Sequence, residues 1–312
     1  MLIFSCANEW HVGDKNPPAG YFNDTFLKAA YVLGFLKLVD TNPPVPPELQ
    51  EYKAIEYKNI DGKSLKLDLY YKKQITGKAP LLIFIHGGGW RKGKREDYLK
   101  YLLDFAGRGY VTATISYRLL PQSTFPDAVE DVICAVRWLR KNADSYHIDP
   151  DKIAVIGGSA GGYLASMIGY AADVPQFNIG CETGKTSGRV QAVINLYGPT
   201  NLTTEYARTH TSTNNFLGMK YADNPALFAT ASPLSYISAD DPPTLIFHGT
   251  LDDLVPVSQS DSLHSKLNSF GITSEYHRLE GWPHTMDLAE PINEYCQFTM
   301  TQFLEKYIPL NK

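Results

Sequence analysis

Short apolar runs alternate with amphipathic helical segments from residue 51 onward, and this alternation restricts the fold more than any other feature of the sequence. The run at 81–85 is apolar throughout, as in a strand that is buried on both faces. Further strands are predicted at 110–117, 153–156, 190–196, 244–247 and 274–279. Helices are predicted at 98–107, 126–142, 161–172, 257–270 and 290–307. This order predicts an α/β fold with a mostly parallel central sheet and helices on both faces.

Two segments interrupt the regular order of strand and helix. The first lies at the start of the alternating region, where strands predicted at 52–57 and 65–71 flank Asp61-Gly62, a dipeptide typical of the turn in a β-hairpin. Later, residues 198–242 are polar, rich in Thr and Asn and only weakly periodic. We therefore predict a crossover loop or a small cap at this second interruption.

The beginning of the chain differs in character from the rest. We divide the sequence into an N-terminal extension, 1–50, and a main domain, 51–312, that would carry the catalytic groups. A helix is predicted over 23–39, between Pro-rich segments at 16–18 and 42–47, because its apolar residues recur at a spacing of three to four. Two interpretations stay open, a helix packed on the main domain and a lid over an active site.

The overall composition is that of an ordinary globular protein and excludes several other classes. Of the 312 residues, 44% are hydrophobic and 20% are charged, which excludes a wholly disordered chain. There are 29 basic and 33 acidic residues, giving a net charge of −4. This balance argues against a nucleic-acid partner, because phosphate binding requires a basic face. No segment is long and apolar enough for a transmembrane span.

The four cysteines, Cys6, Cys134, Cys181 and Cys296, lie far apart in the sequence. Neither a disulfide framework nor a metal site is therefore expected, although one isolated disulfide, for example at Cys181, stays open. The opening Met-Leu-Ile-Phe-Ser-Cys resembles the end of a bacterial lipoprotein signal, which would make Cys6 a lipid anchor. The alternative is a chance similarity. An extracytoplasmic location is favoured over a cytoplasmic one, and nothing indicates the oligomeric state.

The pentapeptide Gly-Gly-Ser-Ala-Gly at 157–161 fits G-x-S-x-G, the pattern that surrounds a nucleophilic serine. A predicted strand precedes it and a predicted helix follows. At such a junction the chain turns so sharply that only glycine fits on either side of the serine. A phosphate-binding loop would instead require a Lys-Ser/Thr pair, which is missing here. We predict Ser159 as the nucleophile and the N–H of Ala160 as one oxyanion donor.

A second glycine motif, His-Gly-Gly-Gly-Trp at 86–90, directly follows the buried strand predicted before it. Acyl transfer requires backbone N–H groups that point at the developing oxyanion, and glycines keep side chains out of their way. We predict Gly88 and Gly89 as donors, with Gly87 as an open alternative. His86 lies inside this loop and is predicted to have a structural role.

A nucleophilic serine requires a base, and the base requires a carboxylate that orients it. With the strand order predicted here, both should follow the serine, on loops after later strands. Asp252 and Asp253 follow one predicted strand and compete for the role of the acid. His284 follows the next predicted strand and is the predicted base, with His210 as its rival in the irregular segment.

Taken together, these motifs resemble those of the α/β-hydrolase esterases, most closely bacterial carboxylesterases of the feruloyl- and acetylxylan-esterase type, beside the hormone-sensitive-lipase-like esterases. The matching segments span about residues 50–308 and include those at 86–90, 117–119, 125–131, 148–151, 157–162 and 248–256. The resemblance implies an α/β-hydrolase fold and the triad Ser159, Asp252 and His284. Gly158 and Tyr163 depart from the residues usual in the two branches, which leaves the substrate open.

The resemblance and the motifs predict a carboxylic ester hydrolase that forms an acyl-enzyme and uses no cofactor. Its expected substrates are short-acyl or aryl esters, such as acetylated or feruloylated carbohydrate. Trp90, Tyr163 and Trp282 are predicted to bind substrate, with Tyr206 and Tyr221 as weaker candidates, and ordinary packing is the alternative for each. Two other functions stay open, an arylformamidase-like amide hydrolase and a non-catalytic binding protein.

Overall fold

One mixed β-sheet forms the centre of the molecule, for which a computed structural model describes residues 16–181 and 183–311. Its strands, β1 to β8, are Leu49–Ile60, Lys63–Lys72, Ala79–Ile85, Val111–Ile115, Ile148–Gly158, Ala192–Leu196, Thr244–Gly249 and Ser274–Leu279. They lie in the order β1-β2-β4-β3-β5-β6-β7-β8. The pairs β1–β2 and β2–β4 are antiparallel, and all pairs from β4 to β8 are parallel. The mostly parallel sheet predicted from the sequence is confirmed.

Helices cover both faces of this sheet. Successive strand residues point to opposite faces, so each face presents apolar side chains that a helix can bury. The α-helices, α1 to α9, are Asp24–Val32, Leu99–Arg108, Asp127–Lys141, Ala160–Ala171, Glu205–Thr209, Thr211–Leu217, Pro225–Thr230, Ser258–Ser269 and Glu290–Tyr307. Short 3-10 helices lie at Arg95–Tyr98, Ala143–Tyr146, Pro175–Phe177, Pro233–Tyr236 and Met286–Leu288. Helices α2 and α9 pack on the face that presents Phe84 and Phe247. Helices α3 and α4 pack on the face that presents Ile83, and α8 packs on Ile246 of the same face.

The two predicted interruptions have clear structures. β1 and β2 form an antiparallel hairpin, and at its turn both Asp61 and Gly62 have positive φ, 50° and 78°. Positive φ at both central residues is the geometry that an Asp-Gly turn favours. The segment between β6 and β7 forms the short helices α5, α6 and α7 and thus provides the small cap that was one of its two predicted forms.

The N-terminal helix is shorter than predicted. Helix α1 begins after Asn23, whose side-chain oxygen accepts a hydrogen bond from the N–H of Phe26 at 3.1 Å. It ends at Val32, not at residue 39, because Gly34 takes a left-handed conformation with φ of 77°. No residue of α1 is buried, and Phe22, just before the helix, is 87% exposed. The predicted extent of this helix was therefore wrong at its C-terminal end.

The segments on either side of α1 form hydrogen bonds with the loop that carries His284. Before the helix, the N–H of Tyr21 donates to Gly281 O at 2.9 Å, and the indole N–H of Trp282 donates to Pro18 O at 3.0 Å. After the helix, the N–H of Val39 donates to Leu288 O at 2.9 Å. The N-terminal extension is thus fastened at two places to the loop between β8 and α9.

The structure forms the single disulfide that the sequence left open, between Cys134 of α3 and Cys181 in the loop after α4. Cys296 is a buried free thiol, and Cys6, the predicted lipid anchor, lies outside the described residues. Within the described ranges, no helix has both the length and the apolar character needed to cross a bilayer.

Removing the disulfide should destabilise the protein without changing its fold. The bond closes a loop with a sequence separation of 47, and a cross-link of that size removes unfolded-state entropy worth about 4 kcal/mol. We expect the double variant Cys134→Ser/Cys181→Ser to lose up to this amount in the free energy of unfolding, measured by urea denaturation. Wild-type protein assayed with and without a reductant provides the matched comparison. Equal midpoints for oxidised and reduced protein would contradict this prediction.

Candidate active site

Ser159 occupies the sharp turn between β5 and α4, with φ of 56° and ψ of −123°. This conformation is strained for any residue with a side chain, so surrounding contacts must hold it in place. A Cβ atom on Gly157 would lie 2.3 Å from Gly161 O, and one on Gly161 would lie 2.0 Å from Ile85 O. The glycines of the motif are therefore required by backbone packing, which lifts the serine hydroxyl out of the turn.

The structure brings the three predicted triad residues together. His284 Nε2 lies 2.9 Å from Ser159 Oγ, and His284 Nδ1 lies 2.6 Å from Asp252 Oδ2. Asp252 follows β7 and His284 follows β8, so these neighbouring parallel strands deliver both side chains to the same edge of the sheet. A carboxylate can only accept, so the proton of His284 lies on Nδ1 and leaves Nε2 free to accept from the serine hydroxyl.

Asp252 is buried, and several donors compensate for its charge. Its Oδ1 accepts from the N–H groups of Leu254 at 3.0 Å and Val255 at 2.8 Å, while Oδ2 faces His248 Nε2 at 3.1 Å. Burial opposes ionisation, but the hydrogen bonds from His248, His284 and Val255 outweigh it and lower the pKa of Asp252 to about 2. The carboxylate is therefore ionised at any pH at which the protein would work.

His248 holds this carboxylate from the side opposite His284. Its Nε2 also contacts Val255 O at 2.8 Å, and its Nδ1 contacts Ser260 Oγ at 2.7 Å. Both partners of Nε2 are acceptors, so that nitrogen carries the proton. No role is predicted for His248 from the sequence, although its position four residues before Asp252 in the shared motif is a signal for one.

The rivals of the triad residues are placed elsewhere. Asp253 is exposed to solvent beside the buried Asp252. His210 lies on the wall of the cavity, and burial lowers its pKa. His86 is buried, its ring is stacked on Tyr117 at 4.4 Å, and its Nδ1 contacts Gly87 O at 3.0 Å. Burial also lowers the pKa of His86.

The glycine loop after β3 lies against the serine. A Cβ atom on Gly87 would be 3.4 Å from Ser159 Cβ and 2.8 Å from Gly158 O. Gly88 and Gly89 have positive φ, 104° and 60°. Among the hydrogen bonds that the structure shows within its described ranges, none uses the N–H of Gly88, Gly89 or Ala160 as donor. These amides border the cavity beside Ser159, where an oxyanion would form.

A cavity of about 870 Å³ opens in front of this site. Trp90 and Tyr206 line it, whereas Tyr163 and Trp282 do not reach it. Tyr163 is fully buried, and its hydroxyl donates a hydrogen bond to Ala231 O at 2.9 Å. Trp282 is 1% exposed, and its indole N–H donates a hydrogen bond to Pro18 O. Both are packing residues, and the sequence-based expectation that they bind substrate does not agree with their positions. Tyr221 packs on Phe228, also away from the cavity.

The cavity contains several residues that sequence reasoning missed. The cap contributes polar side chains, among them Ser212 and Asn215. The N-terminal extension contributes Thr41 and Asn42, and the loop after Trp90 contributes a group of cations. No periodic pattern marked these residues, because they lie on irregular segments. Within 16–181 and 183–311, no group of His, Cys, Asp and Glu is arranged to hold a metal ion.

Known proteins share both the fold and the sequence pattern. The structure matches a truncated carbohydrate esterase from gut microbiota with a TM-score of 0.75 at 22% identity, covering 84% of this chain and 98% of that one. It matches the apo form of Thermogutta terrifontis esterase 2 with a TM-score of 0.74 at 27% identity, covering 86% and 98%. The fold is therefore that of the α/β-hydrolases, as the motifs implied.

Sequence comparison defines the family more narrowly. The BD-FAE family model matches residues 67–267. Esterase LipQ of Mycobacterium tuberculosis is 34% identical over 278 residues, which cover 85% of this chain. The chain belongs to the BD-FAE family. The match with LipQ spans 64% of the length of that relative.

Replacing Asp252 should affect both activity and stability. We expect Asp252→Asn to lower kcat about 10⁴-fold, because an amide favours the wrong tautomer of His284. The pKa of Asp252, about 2, is lower than its ordinary value of 3.8, so the ionised group stabilises the fold above about pH 4. This contribution, about 2 kcal/mol, is lost as the pH falls through 2. Kinetics at neutral pH and urea denaturation between pH 2 and 7 measure the two effects.

The neighbouring variant Asp253→Asn is the matched control, because it removes an exposed carboxylate one residue away. It should retain wild-type kcat and stability. Loss of activity in Asp253→Asn with retention in Asp252→Asn would show that the acid has been assigned to the wrong residue.

Proposed function

We propose that this protein is a carboxylic ester hydrolase that acts through Ser159, His284 and Asp252. The observation that carries the proposal is a continuous chain of hydrogen bonds that ends at a cavity. Ser159 is linked to His284 at 2.9 Å, and His284 is linked to Asp252 at 2.6 Å. The names of the related proteins, which are esterases, support it. A hydroxyl activated in this way and flanked by available amides is suited to acyl transfer.

The proposed reaction has two halves. Ser159 Oγ attacks the ester carbonyl while His284 Nε2 takes its proton, and ionised Asp252 stabilises the resulting imidazolium. The amides of Gly88, Gly89 and Ala160 stabilise the oxyanion, and each donor of this type lowers the barrier by about 3 kcal/mol. His284 then protonates the leaving alcohol. Water activated by His284 hydrolyses the acyl-enzyme and regenerates the serine.

The preferred substrates in this proposal are short-acyl or aryl esters of carbohydrate. The cap presents hydroxyl, imidazole and amide groups to the cavity, through residues such as Ser212, His210 and Asn215. The indole N–H of Trp90 is buried and has no acceptor among the described residues. We infer that a substrate oxygen bound against Trp90 supplies the missing acceptor. The carbohydrate esterase among the structures of like fold is consistent with this choice.

The disulfide supports the extracytoplasmic location inferred from the first residues. Cys134 and Cys181 are bonded, and disulfides persist mainly in oxidising compartments. We therefore propose that the enzyme works outside the cytoplasm, where plant or microbial polysaccharides would be accessible to it.

Hydrolysis of 4-nitrophenyl acetate, butyrate and octanoate tests the reaction class. We expect wild-type activity that falls with acyl length, and we expect Ser159→Ala to lower kcat about 10⁶-fold. Ser166→Ala serves as the control, because this buried serine lies on α4, the helix that follows Ser159, but does not line the cavity. Activity that survives in Ser159→Ala would show that another group is the nucleophile.

Replacing Trp90 by Phe tests the polar substrate. The substitution keeps an aromatic ring on the cavity wall but removes the N–H donor. We expect KM for an acetylated xylo-oligosaccharide to rise about 3- to 10-fold, as for the loss of one neutral hydrogen bond. KM for 4-nitrophenyl acetate, which has no sugar hydroxyls, should change less than twofold. An equal change for both substrates would indicate that Trp90 only packs.

A further inference from the structure

The loop after the oxyanion glycines places three cations on the cavity wall, namely Arg91, Lys92 and Lys94. All three are exposed, and within the described ranges none of them forms an ion pair. Neighbouring cations do, since Arg95 pairs with Asp68 at 3.0 Å and Lys100 pairs with Asp104 at 2.5 Å. The charges of the three loop residues are therefore available to a ligand.

Three acidic residues line the same cavity and must be weighed against these cations. Asp287 is buried and accepts a hydrogen bond from the hydroxyl of Tyr197. Burial raises the pKa of Asp287. Asp97 accepts a hydrogen bond from the N–H of Lys94 at 3.0 Å and so helps to shape the loop. Glu96 is half-buried on the following 3-10 helix. Asp97 is itself exposed, so three exposed cations are set against one exposed and one half-buried carboxylate, which leaves an excess of positive charge on this wall.

Backbone contacts fix the loop beside the reacting atoms. The N–H groups of Arg91 and Lys92 both donate to Gly88 O at 3.1 Å. Gly93 has φ of 110°, and a Cβ atom there would lie 2.3 Å from His86 Nδ1, so the loop returns against the oxyanion segment. The backbone that carries the three side chains is consequently held close to the oxyanion amides.

A second, open depression of about 360 Å³ shares part of its lining with the first cavity. It is lined by Gly88, Lys92, Gly93, Lys94 and Asp97. A substrate whose ester carbonyl reaches Ser159 can therefore extend a further group along the wall that carries Lys92 and Lys94. The group that two ammonium ions would bind most strongly in that position is an anion.

We propose that Arg91, Lys92 and Lys94 select esters that carry a carboxylate close to the scissile bond. The inference rests on the ester hydrolase function proposed above and narrows its substrates to acidic ones. The carboxylate belongs either to the alcohol portion, as in an acetylated uronic acid, or to the acyl portion, as in the half-ester of a dicarboxylic acid. Neutral sugars and simple alkyl esters lack this interaction.

Two pairs of substrates matched except for charge test the inference and locate the carboxylate. Acetylated glucuronic acid is compared with glucose acetylated at the same position, and monomethyl adipate with methyl hexanoate. We expect wild-type KM to be about tenfold lower for the charged member of one pair, as for a few exposed charge pairs acting together. The pair that shows the preference identifies the portion that carries the carboxylate.

The triple variant Arg91→Gln/Lys92→Gln/Lys94→Gln should bring the ratio of the two KM values close to one. Lys92→Arg in the wild-type background should keep the preference. Three exposed lysines that do not line either cavity provide a control of equal charge change, Lys63→Gln/Lys72→Gln/Lys141→Gln. The control should leave both KM values unchanged. Raising the salt from 0.15 M to 1 M should weaken the wild-type preference by screening.

Three outcomes would overturn the inference or separate it from the proposed function. Equal KM values within both pairs would overturn charge selection while ester hydrolysis stands. A preference that persists in the triple variant would assign it to other residues. If no ester is hydrolysed, calorimetric titration of Ser159→Ala with glucuronate, with monomethyl adipate and with their uncharged partners, glucose and methyl hexanoate, still decides the inference. Binding of one of the two anions that the triple substitution abolishes would support it, and absence of binding of both anions would overturn it.

Discussion

The turn at Ser159 is the constraint on which the rest of the site depends. A serine at φ of 56° is unfavourable in isolation, and it is held there because β5, β3 and α4 approach so closely that Gly157 and Gly161 have no room for a side chain. The same close approach brings the loop after β3 against the serine. Nucleophile and oxyanion amides are therefore positioned by one packing arrangement of the backbone, and their relative geometry does not depend on flexible side chains.

The second determinant is the buried carboxylate of Asp252. An isolated charge at this depth would be strongly destabilising, but two histidines and two backbone amides donate to it or face it. His248 is important here, because it donates to Oδ2, the oxygen of Asp252 that also accepts from His284. The motif around β7 contains both residues because His248, at the end of the strand, donates to the carboxylate of Asp252 and so helps to hold it in place.

The sequence predicted those parts whose requirements are local. Asp61-Gly62 specifies a hairpin turn, and the glycines around Ser159 specify a strand–turn–helix junction, whatever surrounds them. The parts that depend on distant contacts were harder to predict. Tyr163 and Trp282 lie next to motif residues in the sequence, yet in the fold helix α4 and the loop after β8 place both side chains in the core. The cap and the loop after Trp90 contribute side chains from irregular segments, and no periodicity indicates which way such side chains face.

The grip of the N-terminal extension on the histidine loop has a consequence for the order of folding. The hydrogen bond from Trp282 to Pro18 joins residues 264 positions apart, so the contacts between the extension and the histidine loop wait for almost the last part of the chain to be synthesised. A ribosome adding about 5–20 residues each second would leave Pro18 without its hydrogen-bond partner Trp282 for at least some 13 seconds. The wall of the cavity that the extension supplies is thus completed last, and a chain released early would contain the serine but neither the histidine nor this wall.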